Sequence, residues 1–70
     1  MSNIKKKFGQ NLRAIREFMG FSQEDLAYAA GIDRSYVGKM ERGEANPSIE
    51  KLYLLAKTLG CSPKDLIPDA

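Results

Sequence analysis

Apolar residues recur every three or four positions along the chain, and this spacing predicts α-helices. The first segment predicts a helix over about residues 3–19. Its apolar positions, at intervals of four, four, three and four, share one helical face: Ile4, Phe8, Leu12, Ile15 and Met19. No alternating pattern indicates a strand, so we expect an all-α fold.

The stretch over about residues 22–42 predicts two short helices joined by a tight turn. Ser22 can cap the first helix, with Asp25 three residues later as its partner. Gly31 supplies the permissive backbone that ends this helix, and Asp33 is the next N-cap. Two helices crossing steeply over such a turn form a helix-turn-helix unit.

The remaining residues predict a loop and two more helices. Pro47 disfavours helix at the residue before it, so a loop separates the helix-turn-helix from a helix over about residues 48–59. A last, short helix begins at Ser62-Pro63 and ends before Pro68. The longer of these helices has five positions on its predicted buried stripe: Ile49, Leu52, Leu55, Ala56 and Leu59.

The order of these residues resembles the Cro/CI-type (XRE-like) phage-repressor helix-turn-helix family. The resemblance covers roughly residues 4–67 and implies a compact five-helix, lambda-repressor-like DNA-binding domain over residues 1–70. It rests on Phe8-Gly9, Leu12, Arg13, Ile15, Arg16, Gly20-Phe21-Ser22-Gln23, Ala27, Gly31, Val37, Met40, Glu41-Arg42-Gly43, Asn46-Pro47-Ser48, Leu52, Leu55-Ala56, Leu59-Gly60 and Ser62-Pro63.

The resemblance makes the helix over residues 34–42 the recognition helix, whose first residues reach base edges in the major groove. Arg34 can bind guanine O6 and N7, although an ion pair with Asp33 or Glu41 is the alternative. Gly38 either lets the helix approach a base closely or is simply tolerated there. The predicted base-reading residues are Arg34, Ser35, Gly38 and Lys39.

Other residues are expected to hold the DNA backbone. By resemblance, Gln23 bonds a phosphate at the N-terminus of its helix, an end that favours anions. Tyr36 is either a core aromatic or, as the resemblance implies, a phosphate ligand. The full set of predicted phosphate-binding residues is Gln23, Tyr36, Arg42, Asn46, Ser48 and Arg13.

Two further sets of residues are expected to contact protein rather than DNA. The resemblance implies that Arg16 and Glu41 form a structural ion pair between the first helix and the end of the recognition helix. The chain also has more apolar residues near its C-terminus than so small a core can hold, which suits a symmetric dimer. We expect the dimer interface to contain Tyr53, Leu54, Leu66 and Ile67.

The composition of the chain argues against several classes of function. Net charge is +2, and the basic excess lies in residues 1–43, with eight Lys/Arg against five Asp/Glu. The chain has no histidine. Its one cysteine, Cys61, is predicted to be a buried thiol in the core, and a redox sensor is the alternative. We therefore expect no enzyme, metal or cofactor, no small-molecule ligand and no membrane contact, in a cytoplasmic protein.

These features predict a sequence-specific transcriptional regulator that binds double-stranded DNA as a homodimer on a pseudo-palindromic operator. The run over residues 23–28, together with Asp33 to Tyr36, also resembles the controller proteins of restriction–modification systems. The alternative is an antitoxin-type interaction module that masks a toxin and regulates its own operon.

Overall fold

The computed structural model describes residues 3–69, and it contains five α-helices and no strand within that range. They are α1 (Asn3–Phe18), α2 (Gln23–Ala30), α3 (Arg34–Glu41), α4 (Ile49–Leu59) and α5 (Pro63–Leu66). The predicted all-α, five-helix fold is confirmed, and each helix lies within one or two residues of its predicted bounds. None of these helices is long and apolar enough to cross a membrane.

Local side-chain caps set the helix boundaries, as the sequence predicts. Ser22 Oγ accepts from the Asp25 backbone N–H at 2.9 Å, and the Asp25 carboxylate accepts in return from the Ser22 N–H. Asp33 caps α3 and Ser48 caps α4 through their side-chain oxygens. Gly31 ends α2 with φ at +70°, a conformation that glycine adopts without steric cost.

The helices pack around a core to which every helix contributes. α3 lies against both α1 and α2, while α4 lies against α2 and α5, and α5 also contacts α1. The core contains Phe8, Leu12, Leu26, Ala27, Val37, Met40, Leu52, Leu55, Ala56, Leu59 and Leu66.

Gly9 sets the distance between α1 and α3. A Cβ atom built on Gly9 would lie 2.7 Å from the Glu41 carbonyl oxygen and closer still to that of Met40. Real Cβ atoms essentially never come that near, so only glycine allows α1 to lie directly on the last turn of α3. This contact fixes where α3 lies relative to α1.

The predicted burial of the apolar stripes is wrong at the ends of the helices. Ile4, Met19 and Ile49 are 51%, 45% and 71% exposed, because each lies in the first or last turn of its helix or beside it, where no neighbour covers the side chain. Phe18 is also exposed, and the periodic pattern did not include it. Leu66 is fully buried, although it had been expected at a dimer interface.

Candidate DNA interface

The first turn of α3 presents polar side chains on the protein surface. Arg34, Ser35 and Lys39 are exposed, and Asp33 Oδ1 accepts from the Ser35 backbone N–H at 3.2 Å. An α-helix with its side chains is about 10–12 Å in diameter, which the roughly 12 Å wide major groove of B-DNA admits. The polar, exposed first turn of α3 therefore suits insertion into the groove.

Arg34 bonds an amide rather than a carboxylate. Its Nη1 donates to Gln23 Oε1 at 3.3 Å, whereas Asp33 is occupied in capping α3. Among residues 3–69, Arg34 forms no ion pair with a carboxylate, which argues against the alternative of pairing with Asp33 or Glu41. Its guanidinium remains exposed at the start of the helix.

A buried ion pair lies at the other end of α3. The side chains of Arg16 and Glu41 are 9% and 4% exposed. The Arg16 guanidinium donates to both Glu41 oxygens, with Nη2 to Oε1 at 3.0 Å, and its Nη1 donates to the Phe21 carbonyl at 2.8 Å. The hydrogen bond with Glu41 raises the pKa of Arg16, although burial acts in the opposite direction. The pair joins α1 to the last turn of α3.

Gln23 extends this pair to Arg34. Its Nε2 donates to Glu41 Oε1 at 2.9 Å while its Oε1 accepts from Arg34, so both ends of the amide have a defined partner. An open cleft of about 430 Å³ lies at this point, lined by Arg16, Ser22, Gln23, Glu24 and Arg34. Arg34 and the positive end of α2 meet at this cleft and favour an anion there, whereas Arg16 is already paired with Glu41 and Glu24 adds a negative charge.

Gly38 lies in a different environment from the one expected of a base-reading position. It is buried, and a Cβ built there would lie 3.0 Å from Arg42 Nη1 and 3.8 Å from Gln23 Oε1. The Arg42 side chain thus covers Gly38, and a base could reach this position only if Arg42 moved. In this conformation the missing side chain gives room to Arg42, and close approach of a base to Gly38 stays a prediction.

The loop after α3 brings three of the predicted phosphate ligands together. Tyr36 Oη donates to the Asn46 carbonyl at 3.0 Å, and its ring packs against the core, as the core-aromatic interpretation expects. Its contact with phosphate stays a prediction. Ser48 Oγ accepts from the Lys51 N–H at 3.1 Å, which leaves its own proton free to donate. Asn46 and Ser48 are both exposed.

The two arginines among the predicted phosphate ligands already have carboxylate partners. Arg42 Nε and Nη2 donate to the two oxygens of Glu44, at 3.1 and 3.2 Å, and Arg13 Nε donates to Glu17 at 3.1 Å. The hydrogen bond with Arg42 lowers the pKa of Glu44 and raises that of Arg42. Neither carboxylate was predicted as an arginine partner, although Glu17 is four residues from Arg13 on one helix.

The predicted dimer residues divide into two groups. Tyr53 and Ile67 are 59% and 52% exposed and Leu54 is half-buried, so these three are accessible. Leu66 is not, because α5 packs its side chain into the core and its carbonyl accepts from Asn11 Nδ2 at 3.2 Å. The exposed Ile49, one helical turn before Tyr53, was missed as part of this surface.

Comparison with known proteins gives the same fold and names the family. A helix-turn-helix family model (HTH_3) matches residues 12–66. Control protein C.BamHI of Bacillus amyloliquefaciens is 40% identical over 67 residues, which is 94% of this chain and 83% of that protein. Control protein C.SmaI of Serratia marcescens is 38% identical over 65 residues, covering 93% and 77%.

A solved structure agrees with these relatives. The crystal structure of the restriction–modification controller protein C.AhdI from Aeromonas hydrophila is 48% identical, with a TM-score of 0.87, over 90% of this chain and 96% of that one. The resemblance to Cro/CI-type helix-turn-helix proteins is thereby confirmed. The chain belongs to the helix-turn-helix (HTH_3) family of DNA-binding transcriptional regulators.

Proposed function

We propose that this protein regulates transcription by reading a pseudo-palindromic operator as a homodimer, with α3 in the major groove of each half-site. The observation that carries the proposal is the first turn of α3, where Arg34 and Ser35 are exposed and Gln23 links Arg34 to the buried Arg16–Glu41 pair. A base-reading side chain must be held by a rigid support if it is to distinguish one base from another. Here the support is the chain of hydrogen bonds from Arg16 to Arg34.

Phosphate contacts on both sides of α3 would set its register on the duplex. On one side, Gln23 and the N-terminus of α2 border a cleft that also contains Arg34. On the other side, Arg42, Asn46 and Ser48 lie in the loop between α3 and α4 or at its ends. Contacts of this kind orient a protein on DNA without reading sequence, so the base preference falls to Arg34, Ser35 and Lys39.

The exposed apolar residues of α4 and of the chain beyond α5 favour self-association. Ile49 and Tyr53 lie one turn apart on α4 and are both more than half exposed, as is Ile67. Burying such side chains against a second copy removes apolar surface from water. A two-fold dimer would also present two α3 helices to half-sites about one helical turn apart, roughly 34–36 Å.

The control-protein relatives support a specific setting. Proteins named as control or restriction–modification controller proteins match this chain over most of their own length. We therefore propose that the regulator controls genes of a restriction–modification system. We further propose that residues 1–70 act as a single DNA-binding unit with the helix-turn-helix at about residues 22–42.

Selection of bound duplexes from a random DNA pool, at physiological salt, tests this function directly. An enriched inverted repeat with half-sites one helical turn apart is the expected result, and sedimentation of the complex should give two protein copies per duplex. If no sequence is enriched and only salt-sensitive binding remains, operator recognition is excluded. The antitoxin-type alternative would then be tested by copurification with the product of the neighbouring gene.

A further inference from the structure

Arg42 directly follows the last residue of α3, and its guanidinium has neighbours on two sides. Glu44 accepts from Nε and Nη2, so one complete edge of the guanidinium has a carboxylate partner. Arg42 Nη1 lies over Gly38, where a Cβ would be only 3.0 Å away. The side chain therefore occupies a defined position beside the surface of α3 rather than extending freely into solvent.

This arrangement is unusual for a residue that meets a phosphate. The Nε–Nη2 edge of arginine binds a carboxylate or a phosphate with the same two parallel hydrogen bonds. It cannot bind both at once, and a carboxylate that stayed beside the bound phosphate would repel it. Arg42 can bind the DNA backbone through this edge only after Glu44 has moved away.

We propose that Glu44 competes with the DNA backbone for Arg42 and thereby lowers the affinity of the protein for DNA of any sequence, an inference that rests on the phosphate contact proposed above for Arg42. The competition does not depend on sequence because neither of the competing groups is a base. Its effect is moderate, since exposed ion pairs stabilise only weakly. Glu44 thus limits how tightly the regulator binds outside its operator.

The substitution Glu44→Gln keeps the size of the side chain and removes its charge. An exposed pair of this kind changes an equilibrium about threefold, and two copies on one duplex multiply to about tenfold. We therefore expect Glu44→Gln to lower Kd about tenfold on the duplex selected from the random pool, and by a similar factor on a duplex of unrelated sequence. Fluorescence anisotropy on labelled duplexes gives both values.

Removal of any negative charge near DNA can strengthen binding, so the competition needs a double-mutant cycle. The cycle compares the natural protein, Glu44→Gln, Arg42→Met and the double variant. If Glu44 acts through Arg42, its removal gives no more than the small gain of the control variant below when Arg42 is methionine. Glu50→Gln is the matched control, because Glu50 lies in the first turn of α4, two residues after Ser48, and has no ion pair within residues 3–69. It should give the same small change with and without Arg42.

Each other outcome has a defined meaning. An equal gain in both backgrounds would overturn the proposal and leave Glu44 as a simple repulsive charge. A weaker Glu44→Gln protein would also overturn it, because the pair would then be positioning Arg42 for DNA. If Arg42→Met leaves both Kd and its salt dependence unchanged, Arg42 does not bind phosphate and the inference fails, but operator selection through α3 can still stand. If the natural protein selects no operator, the proposed function itself has failed.

Discussion

Replacing Gly9 by alanine tests whether α1 must lie directly on the last turn of α3. The added Cβ would lie 2.7 Å from the Glu41 carbonyl oxygen, whereas ordinary van der Waals contact begins at 3.4 Å. The backbones of α1 and α3 must therefore separate by at least about 0.7 Å at this point, and by more at the nearer Met40 carbonyl oxygen, since neither contact is with a flexible side chain. That movement loosens the packing between the core residues of α1 and those of α3, which include Phe8 and Met40.

Two opposing terms decide the size of the effect. Alanine is the better helix former by about 0.8–1.0 kcal/mol, but an extra methyl group in a tightly packed contact costs about 1–3 kcal/mol. We expect Gly9→Ala to lower the free energy of unfolding by about 1–2 kcal/mol. For a domain of this size, Tm falls by roughly 4–8 °C for each kcal/mol.

Urea and thermal unfolding followed by circular dichroism measure this change, and Gly38→Ala is the matched control. Gly38 is also a buried glycine inside a helix, but the atom nearest to its added Cβ is the far end of the Arg42 side chain, which can move. Gly38→Ala should be neutral or stabilising by up to about 1 kcal/mol. A Gly9→Ala protein as stable as the natural one would refute the close-contact reasoning, and equal losses at both glycines would do the same.

Three further predictions concern single side chains. Arg34→Ala should cost about 1–3 kcal/mol in operator binding and relax the preference at one base position, as measured by competition with single-base variants; equal weakening on all sequences would contradict base readout by Arg34. Glu41→Ala should lower the free energy of unfolding by about 3 kcal/mol, as measured by urea unfolding, because Arg16 stays buried without its counter-charge. A loss below about 1 kcal/mol would show that the Arg16 side chain moves into solvent instead. Burial, helped by the charge of Asp65, raises the pKa of the Cys61 thiol. The folded state therefore holds the thiol proton more tightly than the unfolded chain does. This contribution to stability is lost as pH rises into the alkaline range. Iodoacetamide should accordingly label Cys61 more slowly in the folded protein than in urea at the same mildly alkaline pH, and equal rates would contradict the shift.

The sequence by itself determined the helices and the points at which they begin and end. Caps at Ser22, Asp33 and Ser48 act on backbone N–H groups two or three residues away, so their effect is readable along the chain. The interior of each apolar stripe was equally readable, because a period of three to four residues places those side chains on one face whatever lies opposite. The order of the helix-turn-helix residues was sufficient to indicate the family.

Only the tertiary structure decided which apolar side chains are covered. Ile49 was predicted on a buried stripe and Leu66 at a dimer interface, yet the first is exposed and the second fully buried. Burial depends on whether another element lies over the end of a helix, and α5 fills its place against α1 and α4 while the start of α4 has no cover. Periodicity contains no information about that neighbour.

The partners of the charged side chains were also decided in three dimensions. Arg34 was expected to contact DNA, but its hydrogen bond to Gln23 depends on the crossing of α2 and α3. Arg42 reaches Glu44 and lies over Gly38 because the chain turns sharply at Gly43, where φ is +77°. Long side chains choose among several nearby partners, and the choice depends on where the backbone places each of them. The sequence therefore determined which residue types are available at the interface, and the packing of α1, α2 and α3 determined which of them are held together.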